Sequence, residues 1–175
     1  RALPRAIRPV HPVTVWRRRL AVALDALETE SWVANEIGFE GPALTRCRPM
    51  ETAAVQLPTG DRLQVPTCAE TLRLKGYLLM SRNSPRDYRE LAELVDVLDP
   101  QTVAAALGGV DRYYSGQPAD RQWMATQLVC RLADPEPVER EVDNSGDGAP
   151  PAGTEWEHVR ARCLAVAVSM LEEAR

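Results

Sequence analysis

Between Thr67 and Leu94 the chain reads TCAETLRLKGYLLMSRNSPRDYRELAEL. This stretch holds Lys75, the single lysine; the other twenty of the 21 basic residues are arginines. Asp87 follows twelve residues later, flanked by Arg82 and Arg86. An ammonium is a compact point charge with three donors, suited to a phosphate oxygen. A neighbouring carboxylate can orient it or help hold a metal. Charge neutralisation and positioning of this kind is most of what phosphoryl and nucleotidyl transfer require, usually with Mg²⁺. The plainer alternative makes Lys75 a surface lysine and Asp87 a helix-start carboxylate favoured by the helix dipole.

The elements that must position these residues follow from local signals. Thr67-Cys68-Ala69-Glu70 fits a capping box and opens a helix carrying Leu72, Leu74, Leu78 and Leu79 together with Lys75. Ser84-Pro85 opens a second helix, with Leu91, Leu94, Val95 and Leu98 as its inward stripe. A short turn, Ser81 to Ser84, makes the two a helical hairpin that can bring Lys75 towards Asp87. Asp99-Pro100 repeats the start signal for a third helix ending at Gly108-Gly109, and a fourth is expected over about 119–132.

Upstream, Trp16, Leu20, Leu24 and Leu27 recur at three- and four-residue spacing, predicting a helix over Thr14 to Glu30 with Arg17-Arg18-Arg19 on its wet face. Residues 1–13 hold three prolines and are expected to be extended. Alternation around Pro58-Thr59-Gly60-Asp61 predicts a hairpin over Ala53 to Pro66. Pro135 to Gly153 is rich in proline, glycine and acids and reads as a flexible linker. Thr154 is expected to cap a last helix whose face of Trp156, Val159, Cys163, Val166 and Met170 needs a surface to dock on. Four units result: 1–66 with a helix and hairpin, 67–134 as the helical part carrying Lys75 and Asp87, 135–153 as linker, and 154–175 as a docking helix. The fold class is α+β and helix-rich, with a small sheet and a C-terminal helical bundle.

Composition sets further limits. Net charge is −4 and aromatics are 5% of residues, so Leu, Val and Ala must build the core. Arginine clusters can still form a local positive face. The four cysteines lack metal spacing, and Cys68, Cys130 and Cys163 fall in helical patterns as small core residues. With no apolar run of transmembrane length, a reduced cytoplasmic protein without membrane contact is expected. The first residue is Arg1, which raises the expectation of something upstream. Arg73, Arg82, Arg86 and Arg89 either line a phosphate or RNA groove or form a solvated face with pairs such as Arg86–Glu90 and Arg89–Glu93. Tyr113, Tyr114 and Trp123 suit core packing better than base stacking. His11 and His158 have no partners at catalytic spacing.

The segment from Val55 to Leu94 resembles the C-terminal half of the catalytic domain of bacterial nucleotidyltransferase toxins of the AbiEii type, which include the mycobacterial MenT toxins. The matching residues are Thr67, Leu72-Arg73-Leu74-Lys75, Ser81-Arg82-Asn83 and Pro85-Arg86-Asp87-Tyr88, with Val110 to Tyr114 similar to actinobacterial members. The resemblance implies a polymerase-beta-like nucleotidyltransferase fold. It implies a toxin of a toxin–antitoxin system moving a nucleotide from an NTP to a tRNA 3′ end, with Mg²⁺ as cofactor. It assigns Lys75 and Asp87 to catalysis and Lys75, Arg82 and Arg86 to phosphate binding, with tRNA and a cognate antitoxin as partners. The family's Gly-Ser loop and Asp-x-Asp strand have no counterpart in the sequence. A non-catalytic helical binding module derived from the same fold is therefore the alternative.

Overall fold

The computed structural model describes residues 12–35, 45–115, 124–138 and 153–174. Six helices dominate: α1 (Pro12–Asn35), α2 (Cys68–Arg82), α3 (Pro85–Val95), α4 (Pro100–Gly108), α5 (Met124–Ala133) and α6 (Thr154–Glu173). The strands are β1 (Thr45–Arg46), β2 (Thr52–Gln56), β3 (Arg62–Pro66) and β4 (Tyr114–Ser115). The chain is thus helix-rich α+β. Its strands form two separate antiparallel ribbons, β1 with β4 and β2 with β3. The β2–β3 ribbon pairs Val55 with Leu63. Its turn is closed by Leu57 N–H to Asp61 O at 2.8 Å and needs the positive φ of +92° that Gly60 supplies.

The central element is α2. Every residue from Glu70 to Ser81 is buried. α1 and β3 cover it on one side, with α3, α4 and α5 around the remainder. A helix buried all round needs close neighbours, and Gly76 provides one such approach. A Cβ there would meet Leu128 at 3.2 Å and Leu107 at 3.3 Å. α6 then closes the bundle over α3, α4 and α5. Its buried side chains are Val159, Cys163, Val166, Ala167 and Met170. Burial of such side chains contributes about 1.5–3 kcal/mol for each large one.

The side-chain N-caps of the expected start signals hold in atomic detail. Thr67 Oγ1 accepts from Glu70 N–H at 3.1 Å, Ser84 Oγ from Asp87 N–H at 3.3 Å, and Asp99 Oδ2 from Thr102 N–H at 2.9 Å. Other expectations need revision. α1 runs longer than Thr14 to Glu30. α6 starts at Thr154, but its N-cap is Gly153 at φ +78° and no side chain caps it. Cys130 is exposed and Cys68 half-buried; of the three helical cysteines only Cys163 is a core residue, its thiol pushed up to about 12 by burial. Residues 1–11, Trp123 and most of the expected linker, 139–152, lie outside the described residues.

Candidate functional site

Lys75 is not a surface lysine: its side chain is 5% exposed. The helix around it is buried on all faces, so its long stem lies in the core and its head must meet a counter-charge. Its Nζ donates to Glu90 Oε2, on the second turn of α3. Glu90 Oε1 accepts from Arg86 Nε at 2.8 Å. Burial raises the Glu90 carboxyl, but the hydrogen bonds and charges of Lys75 and Arg86 outweigh this and hold it below the usual carboxylate range.

Asp87 is fully buried and belongs to a different cluster. Ser84 Oγ donates to its Oδ2 at 2.6 Å, and Arg82 Nε does so at 3.2 Å. Arg82 also grips Asp25 of α1 with two bonds, at 2.9 and 3.1 Å. Burial works against the Arg82 charge, yet Asp87 and Asp25 together raise its pKa further. The turn that positions these groups is set by Asn83, in the left-handed region at φ +49°. Asn83 Oδ1 accepts from the Tyr88 hydroxyl at 2.6 Å.

A third cluster lies at the start of α2. Glu70, the third residue after the Thr67 cap, does not turn back to cap Thr67; Thr67 N–H instead donates to Glu51 O at 3.0 Å. The Glu70 carboxylate accepts from Arg46 and, at 3.1 and 2.8 Å, from Arg73. Arg73 stands 3.8 Å from the Tyr113 ring centroid and also donates to Glu51. The Tyr113 hydroxyl and Arg73 together lower the Glu51 pKa. Tyr114 is buried, stacks on Tyr77 with centroids 5.1 Å apart, and accepts from Arg46 at 2.8 Å.

The hairpin therefore brings the expected residues close but pairs them otherwise than expected. Lys75 goes with Glu90, and Asp87 goes with Arg82. Arg86 pairs with Glu90, as expected, and Arg89 reaches Glu155 of α6 at 3.6 Å. Each of these charges is paired with a neighbour of opposite sign. Among the described residues no group of three or more His, Cys, Asp or Glu side chains is placed to hold a metal ion. The pairing of Glu90 with Lys75, of Glu70 with Arg46 and Arg73, and of Asp25 with Arg82 was not read from the sequence, where Glu90 was expected to meet only Arg86 and Glu70 only to close the Thr67 cap. Glu90 had a signal, since it lies three residues after Asp87 and shares a helix face with it.

Comparison with known proteins changes the functional reading. Over its whole length the chain is 60% identical to a probable transport protein, MmpL11, of Mycobacterium bovis. It is likewise 60% identical to the heme uptake protein MmpL11 of Mycobacterium tuberculosis. Over 98% of its length it is 54% identical to the mycolic acid-containing lipids exporter MmpL11 of Mycolicibacterium smegmatis. The chain spans about 18% of the length of the first two and 17% of the third. No family model and no solved structure matches. These relatives correct the toxin resemblance and the nucleotidyltransferase function drawn from it. The non-catalytic module derived from that fold has no support either. The expected tRNA and antitoxin partners, the cytoplasmic location and the exclusion of a membrane fall with them. The actinobacterial character of the sequence agrees with mycobacterial relatives. No helix among the described residues is long and apolar enough to cross a membrane.

Proposed function

We propose that the chain is a non-spanning domain of an MmpL-type transport protein, serving transport as a folded packing module and not as an enzyme. The observation that carries this reading is 60% identity over the full chain to proteins named for transport, of which it makes up about 18%. The interior of the domain is consistent with it. The charges that suggested chemistry are tied pairwise as braces between α1, α2 and α3. Boundaries near 66, 134 and 153 remain part of the proposal, with α6 docking as the closing element. The cargo follows the relatives: haem, mycolic acid-containing lipids, or both.

A transplant tests the reading. The matching segment of the Mycobacterium tuberculosis relative is deleted, and this chain is inserted in its place. Growth on haem as iron source is then measured, together with export of mycolic acid-containing lipids. Loss on deletion and recovery with the transplant is the expected result. Undiminished transport without the segment, or no recovery with a stably expressed transplant, overturns it.

A further inference from the structure

Charge is distributed very unevenly along the chain. Six arginines and no acidic residue precede Asp25, while fifteen basic and 25 acidic residues make up the charges from Asp25 onward. The described part of the basic stretch is the first half of α1. One face of this helix is turned inward, with Ala23 and Ala26 only 4% and 2% exposed. Arg19 also turns inward, donating to Cys68 Sγ at 2.8 Å. The other face carries Arg17, Leu20, Leu24 and Leu27, spaced three, four and three residues apart and so aligned along the helix. Arg17 and Arg18 are exposed, and Leu24 and Leu27 are 59% and 51% exposed.

Exposed Arg17 in line with exposed Leu24, with exposed Arg18 on the neighbouring flank, is the composition of a helix that lies in a lipid headgroup layer. A polyanion such as RNA would account for the arginines but gives no reason for bare leucines next to them. We infer that the outer face of α1 docks on an anionic lipid surface, with Arg17 and Arg18 at the headgroups and Leu24 and Leu27 entering the acyl boundary. Glu28, exposed at the far end of the face, restricts the contact to the first four turns. The remaining, strongly acidic chain is repelled by the same surface, so the charge division also fixes which side of the domain faces the lipid.

The test is cosedimentation of the 175-residue chain with vesicles of phosphatidylcholine alone and of phosphatidylcholine mixed with phosphatidylglycerol. Binding is expected only to the anionic vesicles and is weakened by salt. The double variant Arg17→Gln/Arg18→Gln is expected to lose about thirtyfold in affinity, from the contribution of each arginine near an anionic surface. Leu24→Ser/Leu27→Ser is expected to lose about tenfold or more. Helicity by circular dichroism checks that each variant is folded; all four positions are exposed. Equal binding to both vesicle types overturns the inference, as does parental binding by the folded arginine variant. So does binding to RNA with none to vesicles. The inference uses the transport reading only for the presence of a membrane. Vesicle binding needs no cargo, so its failure leaves the transplant result standing.

Discussion

α3 and α6 pack against the same bundle but are held in different ways. α3 adds buried charge to its buried Tyr88 and Leu91: Asp87, fully buried, meets Arg82, and Glu90 meets the buried Lys75. α6 is fastened by an apolar stripe from Val159 to Met170, and its ion pairs sit at the rim. Arg162 meets Asp96 at 2.6 Å and Arg160 meets Asp134 at 3.3 Å, all four side chains substantially exposed. The difference teaches where a charge is costly to remove. A buried pair, once broken, leaves an uncompensated ion in a poorly solvated site; a rim pair, once broken, returns its members to water.

The largest expected effect is at Asp87. Asp87→Ala removes one of the two carboxylate partners of Arg82 and the acceptor of Ser84, and is expected to cost about 1–3 kcal/mol in denaturant-induced unfolding. A loss under about 1 kcal/mol would show that α3 is held by its leucines and not by its charges.

Acid should come next. The folded pKa of Glu90 lies below its ordinary 4.5, so its pairing stabilises the fold above that value and is lost as pH falls through the lower folded one. Glu51 acts in the same sense. Stability measured from neutral pH downward is expected to fall in that window. Lys75→Met is expected to make the fall shallower; an unchanged acid profile would detach Glu90 from Lys75.

The smallest effect belongs to the rim. Arg162→Ala is expected to cost less than about 1 kcal/mol, and added salt should shrink even that. A salt-independent cost as large as that of Asp87→Ala would erase the distinction between the two helices.

The same contrast explains what could be read in advance. The caps at Thr67, Ser84 and Asp99 were legible because donor and acceptor lie within three residues. The inward face of α6 was legible because a helix repeats every three or four positions. The partners of the buried charges were not. Lys75 reaches Glu90 fifteen residues on, and Arg82 reaches Asp25 fifty-seven residues back, through contacts that exist only once α1, α2 and α3 are packed. The toxin resemblance rested on this hairpin, where a lysine, an arginine and an aspartate recur at short spacing. Here those residues brace a helical turn, and a motif of a few residues does not distinguish a brace from a nucleotide site. The outer face of α1 was only half legible: the arginine triplet stood out, but Arg19 turns inward and the leucines outward.

The placement of α6 has a consequence for how the domain comes into being. Its core side chains, Val159 to Met170, come last among the described core residues, yet they cover α5 and also α3 and α4, which end some fifty or more residues earlier. During synthesis those three helices must wait with an apolar side uncovered until Met170 has been added. The interval between making the middle of the chain and making its last helix is when the nascent domain most needs a chaperone, and slower translation there lengthens it.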